Sequence, residues 1–446
     1  MATTHFYARC PLGPEADAIR LLRLHPSRNR HEPLVVTIFS TNLSTSKGLY
    51  EVLSYCWGTV EAHSSLTVEL SNSDRTEQFQ VSIAQSLADV LTDLRLYENR
   101  RVIWADAICI NQSDNDEKST QVAQMFDVYH SSRRTVAYLG PDDGSMQAVI
   151  AFRDYLCAFS GKPCARAEAG GLLVDWDPVD GIMLATASPP LSQHNVRYTT
   201  SAIGPDRLET PIGGPHSARR SLFLLGELEA SIKKFFSQPW FTRAWTTQEF
   251  VAGPDVILQI GKGSVHFELA DIQLLVSQYY TFPPEEFHCP KCRSTWFNIL
   301  TTIRSTGLEK IAHLLRVRDG EYQSIAGIIH VFLPLDLSKT GTLPWLGATD
   351  PRDILWALLG MSSDRHDPNL QPDYTLTVEE VYMRYSRHMA NFEDGAFLLE
   401  MPKLLYGNLP SWAIGFGEGI WTQSRFPRQM QKLLPYQWTS NPVLTL

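Results

Sequence analysis

The chain has 446 residues, 43% hydrophobic and 11% aromatic, with a formal charge of -9 at pH 7. This composition supports a large buried core in more than one domain, and an acidic balance without a dense Lys/Arg block excludes the electrostatic footprint of a nucleic-acid or anionic-membrane binder. Met1 to Leu12 lack a signal-peptide core, the longest apolar run (around Ile325 to Leu335) is too short for a membrane span, and seven scattered cysteines suit free thiols, so a cytoplasmic protein is expected.

Residues 1–49 read as a lead-in segment. From Tyr50 to Gly140 strand and helix signals alternate. Leu53 to Cys56 is a short apolar strand end, and Ile83, Leu87, Val90, Leu91 and Leu94 repeat at helical spacing behind a capping box of Ser82 and Gln85. A strand from Val102 to Ile108 follows, then a helix opened by Asp114 with Glu117, whose apolar face is Val122, Met125, Phe126 and Tyr129. Thr135 to Leu139 is a third strand, closed by Gly140-Pro141. The β-α-β-α-β order predicts an α/β fold with a doubly wound parallel sheet whose three strands end at one edge.

A helix is expected around Met146 to Phe159. Residues 160–219 are rich in Gly, Pro, Ser, Ala and Asp without a sustained period and read as a long, partly disordered insertion. A helix from about Leu222 to Phe236 precedes the segment Gln238 to Glu249, and Val256–Ile260 with Val265–Phe267 form a hairpin around Gly261-Lys262-Gly263-Ser264. That glycine pair lacks the spacing of a phosphate-binding loop. Beyond Asp271 the pattern is mainly helical, with Asp350-Pro351-Arg352-Asp353 starting one helix and Thr377 with Glu380 capping another. The domain boundaries drawn from this are 50–270, containing the insertion, and 271–446.

Within the second strand, the run Val102 to Ile110 ends abruptly in polar groups. It delivers Asp106, Cys109, Asn111 and Gln112 to the carboxyl edge of the sheet, where ligands of open α/β sheets usually bind. Cys109 follows an apolar strand with no histidine nearby and reads as a buried small hydrophobe. His288-Cys289-Pro290-Lys291-Cys292 has metal-like spacing but lacks a second cysteine pair, so no metal site is assigned.

Three ordered motifs carry a resemblance. They are Tyr50 with Leu53-Ser54-Tyr55-Cys56-Trp57-Gly58; Trp104 to Gln112 with Glu117, Gln121, Met125 and Tyr129; and Trp240, Phe241, Arg243, Trp245, Gln248 and Glu249. Together they resemble the heterokaryon-incompatibility (HET) domain. Ile19 to Leu24, Asp350 to Asp353 with Pro372-Asp373-Tyr374, and Leu409-Pro410-Ser411-Trp412 resemble segments that often flank it. Cys56, Lys118 and Gly415 depart from residues frequent at those places.

The resemblance implies a cell-death effector in fungal self/non-self recognition, acting through self-association and a protein partner of unknown identity. It also implies distant kinship to the TIR fold, some of whose members hydrolyse NAD, and thus a TIR/flavodoxin-like sheet with NAD as a candidate substrate and no resident cofactor. By the spacing of Trp and Glu in Arg243 to Glu249, the implied catalytic residue is Glu249. Trp57 and Trp245 would offer flat faces to a base or pyridinium, and Arg243 two donors to a pyrophosphate. Trp57-Gly58 and Asn111-Gln112 would frame the edge, with Asp106 orienting a hydroxyl.

Structural explanations stand beside these. Glu249 suits a carboxylate meeting a helix dipole or pairing with Arg243, the tryptophans suit a core, and Asp106 and Asn111 suit local caps. A non-catalytic signalling module and a HET-like scaffold recruited to small-molecule metabolism remain the alternatives to a hydrolase.

Overall fold

The computed structural model describes residues 6–58, 62–70, 76–146, 149, 230–262, 266–273, 275–276, 307–332, 346–391, 409–410 and 413, and the backbone of 5, 71–72, 75, 172–177, 182–187, 220–223, 225–229, 274, 277–279, 403–404 and 421–422. Its centre is a mixed nine-stranded sheet. In chain order its first strands are β1 (Ala18–Leu24), β2 (Leu34–Asn42), β3 (Glu51–Tyr55), β4 (His63–Asn72), β5 (Arg75–Ala84), β6 (Arg101–Trp104) and β7 (Arg134–Gly140). Three strands, β8 (Leu172–Asp177), β9 (Ile182–Ala187) and β10 (Arg220–Phe223), form a separate antiparallel sheet; β11 (Val256–Ile260) and β12 (His266–Glu268) return to the main one.

The main sheet runs β12-β11-β7-β3-β6-β1-β2-β4-β5. The central strands β11, β7, β3 and β6 are mutually parallel, whereas β1 pairs antiparallel with both β6 and β2. Both faces of the parallel centre are covered, so β7 and β11 are buried almost continuously and are mainly apolar on both faces. Their side chains divide by parity. Val136, Tyr138 and Ile257 enter one core, and Ala137, Leu139, Val256, Leu258 and Ile260 enter the other. The first core takes Leu87, Leu91, Ile108, Val128 and Tyr129. The second is filled by helix Leu225–Phe236, helix Trp245–Ala252 and the C-terminal helices Gly307–Arg318, Ile325–Phe332, Arg352–Leu359 and Val378–Ala390.

Several expectations change. The β4–β5 hairpin was not foreseen: it alternates buried Leu66, Val68, Leu70, Val81 and Ile83 with solvated polar residues, but no Asn-Gly or Asp-Gly marks its turn. Ser82 lies in β5, so the proposed capping box is absent and helix Gln85–Leu94 starts from Ala84 without a side-chain cap. The strand expected to reach Ile108 stops at Trp104. There the Cys109 amide reaches the Ala105 carbonyl (2.8 Å) and the Ala107 amide the Asp106 carboxylate (2.7 Å), closing a single helical turn over Asp106–Cys109.

The helix opened by Asp114 is capped as expected, its carboxylate accepting from the amides of Asp116 and Glu117, but it breaks at Gln124 into Asn115–Ala123 and Met125–His130. The Gln248 side-chain amide is inserted at the break: with its oxygen turned toward Phe126 N (2.7 Å) and its nitrogen toward Ala357 O (3.3 Å) it satisfies both and stands in for the ladder's own acceptor. The helix expected from Leu222 begins at Leu225, with Leu222 in β10. The capping box of Thr377 and Glu380 is present. Most of the 160–219 insertion, the helix expected from Met146 to Phe159 beyond Met146 and Val149, the Cys289/Cys292 segment and Gly415 lie outside the described residues.

Candidate functional site

The sheet brings the ends of β3 and β6 together, and the residues that follow them build the site. Tyr55 closes β3, Cys56-Trp57-Gly58 leave it, and Asp106 starts the helical turn after β6. The Trp57 indole N–H lies 3.0 and 3.2 Å from the two oxygens of the Asp106 carboxylate, while its ring remains 40% exposed. Gly58 turns the chain with φ +74°, close over Ser86, whose hydroxyl donates to the Trp57 carbonyl. Gln112 donates to the Asp106 carbonyl (3.0 Å). Four of the anticipated residues therefore meet at this edge.

Helix Trp245–Ala252 packs beneath β3 and β7, and its side chains lean toward the helix N-terminus. The Glu249 carboxylate is 5% exposed and accepts a hydrogen bond from the Ser54 hydroxyl, which in turn accepts from the Trp240 indole N–H (2.6 Å). Arg243 donates to the Tyr55 carbonyl at the end of β3, and its charge acts on both carboxylates and on Cys56. Lys310, wholly buried, completes the cluster from helix Gly307–Arg318.

This crowding moves the ionisation of its members. Burial pushes the Glu249 carboxyl up to about 7, against the pull of Arg243, Ser54 and Lys310. Burial likewise drives the Lys310 ammonium down to about 7, with Glu249 opposing the change and Arg243 adding to it. Asp106 is raised by burial despite Arg243 and the bonds from Ala107 and Trp57. Arg243, whose burial works against its charge, is held above the usual guanidinium value by Glu249, Cys56 and Asp106. A carboxyl that changes charge near neutral pH, beside a fixed cation, is suited to stabilising developing positive charge or to exchanging a proton.

Other anticipated residues lie apart. Trp245 is half-buried between the two cores and, with Tyr374, hydrogen-bonds the Asp353 carboxylate. The Asn111 amide donates to Glu117 (2.7 Å) and its side chain accepts from Ser113 (3.3 Å). Much of the signature holds the fold: Tyr50 donates to Val128 O (2.6 Å), Tyr129 to Leu53 O (2.9 Å) and Gln121 to Ala18 O (3.0 Å). Glu117 takes both Arg20 donors at 2.6 and 3.0 Å. Cys109 is buried, as its apolar setting predicts, with its thiol pushed up to about 12.

Sequence reasoning passed over Ser54 and Lys310 as site residues. Ser54 sits inside a quoted motif, and its inward position follows from strand alternation once the neighbouring faces are known. Lys310 gives no signal, since a lysine on an amphipathic helix ordinarily faces water. Among the described residues no cluster of His, Cys, Asp or Glu suits a metal ion, and no helix is long and apolar enough to cross a membrane.

The chain matches known proteins over this same architecture. Heterokaryon incompatibility protein 6, OR allele, of Neurospora crassa is 28% identical over 396 residues, covering 85% of this chain and 53% of that protein. The chain thus spans about half the length of that relative. No solved structure matches it. Residues 50–249, from the tyrosine before β3 to the buried glutamate, match the sequence model of the heterokaryon incompatibility protein (HET) family. Over those residues the chain is similar to the HET domain.

Proposed function

We propose that this protein acts in fungal heterokaryon incompatibility as a cell-death effector, and that it does so by hydrolysing the bond between ribose and nicotinamide in NAD or a related nucleotide. The observation that carries the reading is the gathering of charged groups at the ends of β3 and β6: Glu249 accepts from Ser54 and Arg243 donates to the Tyr55 carbonyl at the end of β3, and Asp106 after β6 accepts from the exposed Trp57. The strand order adds support. Along the chain the parallel strands are β3, β6, β7 and β11; in space they run β6-β3-β7-β11, the second-first-third-fourth order of flavodoxin-like sheets. That order favours a TIR-like, doubly wound reading, whose ligands sit at the carboxyl edge.

The chemistry asks little of the protein beyond charge. As the C–N bond breaks, its electron pair leaves with neutral nicotinamide and positive charge grows on the sugar. Water then adds to the sugar carbon and loses a proton. Ionised Glu249 would stabilise that charge through the ribose hydroxyls, Trp57 would stack on the pyridinium, and Arg243 would meet the pyrophosphate on release from Tyr55. Substrate entry requires the Ser54–Glu249 bond to open.

One observation favours a second reading, a non-catalytic signalling module. Glu249 is 5% exposed and already satisfied by Ser54, as a structural carboxylate would be. Induced expression in a fungal host separates the two. The hydrolase reading expects loss of viability with the native chain and survival with Glu249→Gln; killing by both overturns it.

A further inference from the structure

Helix Gly307–Arg318 lies outside the residues that match the HET family, yet it holds both ends of helix Trp245–Ala252. Near its start Lys310 donates to the Arg243 carbonyl (2.5 Å) and to Thr246 Oγ1 (2.7 Å). Near its end Arg318 donates to the carbonyls of Phe250 (2.9 Å), Val251 (3.2 Å), Gly253 (2.6 Å) and Pro254 (3.0 Å). Positions 310 and 318 are about 12 Å apart along a helix axis, which is also the length of the eight-residue helix they bracket. The cation at the far end meets the negative pole of that helix.

The seating is close. A Cβ on Gly307 would fall 2.3 Å from Phe241 Cβ, so glycine is what lets the clamp helix approach the turn Pro239–Thr242 that leads into the Glu249 helix. A wholly buried ammonium is costly unless its partners compensate, and an apolar side chain of equal length would fill the same space without that cost. Lys310 therefore asks for an explanation beyond packing.

We propose that helix Gly307–Arg318 is a two-ended clamp on the HET domain, with Lys310 as a positioning residue that fixes Arg243 and the Glu249 carboxylate against the ends of β3 and β6. The inference rests on the proposed function only in taking Glu249 as the group whose position matters. Glu249 is faced by Ser54 and Tyr55 from β3, Asp106 from the turn after β6, Tyr129 from helix Met125–His130, and Arg243 and Lys310; Lys310 is faced by Glu249, Arg243 and Cys56.

Infrared titration of the full chain tests it, with the protonated Glu249 band assigned by its loss in Glu249→Gln. Lys310→Met is expected to move the Glu249 midpoint upward and Lys310→Arg to restore it. Gly307→Ala, which forces the clamp off Phe241, is expected to move it the same way as Lys310→Met and serves if that variant does not fold. Arg318→Gln is expected to leave the midpoint in place and speed hydrogen exchange in the last turn of helix Trp245–Ala252. An unmoved midpoint in Lys310→Met or Gly307→Ala overturns the clamp. None of these readouts uses NAD, so absence of nicotinamide release would sink the hydrolase reading and leave the clamp standing.

Discussion

Ser54 on β3 donates its hydroxyl to the carboxylate of Glu249, 195 residues away in sequence, and so fastens helix Trp245–Ala252 to the centre of the sheet. The same oxygen accepts the Trp240 indole N–H. Ser54→Ala leaves both partners buried and unsatisfied, at about 1–3 kcal/mol each. Urea denaturation should show a loss of at least about 2 kcal/mol, and a loss near zero would mean that the triad does not hold the helix.

The buried carboxyl makes stability depend on pH. With its folded value raised to about 7 from an ordinary 4.5, Glu249 binds its proton more tightly folded than unfolded. Its contribution is therefore fully present below about 4.5 and is lost as pH rises through about 7. Lys310 acts in the opposite direction, since its folded value is depressed from 10.5 to about 7: its contribution is present above 10.5 and lost as pH falls through 7. Glu249→Gln should gain stability relative to the native chain between pH 5 and 8, by on the order of 2 kcal/mol. A difference that does not vary over that range in denaturant melts contradicts the assignment.

Glu117 binds Arg20 through both oxygens and takes the Asn111 amide with one of them, so it joins β1 to the loop after β6. Arg20 is 1% exposed. Breaking a buried pair from one side strands the other charge, and Glu117→Gln should cost about 3 kcal/mol in unfolding free energy. A cost under about 1 kcal/mol, the surface-pair range, would show the contact to be dispensable.

Gly58 holds φ +74° with Ser86 beneath it. Gly58→Ala should lose about 1–2 kcal/mol and change the fluorescence of Trp57 as the turn shifts. Native stability and an unchanged spectrum would remove Gly58 from the frame of the site.

Parts of this arrangement are legible in the sequence because they obey local rules. The apolar runs of β3, β7 and β11, the Asp114 cap and the Thr377–Glu380 capping box follow from periodicity and capping chemistry. Trp57, Asp106 and Gln112 could be assigned to one edge because parallel strands end there. What escaped depends on distant partners. The Gln124 break needs Gln248, the use of Ser54 needs Glu249 and Trp240, and the burial of Lys310 needs Arg243 and Thr246, 67 and 64 residues earlier in the chain. Side-chain pairs of that separation leave no periodic trace in the chain.

The rate of nicotinamide release from NAD by the full-length protein, beside Glu249→Gln at equal folded concentration, tests the central claim most directly. The account predicts release by the native chain that rises with pH through about 7, as Glu249 ionises, and a drop of about a hundredfold or more in the variant. Equal rates in the two proteins, or no release from the folded native chain, would contradict it.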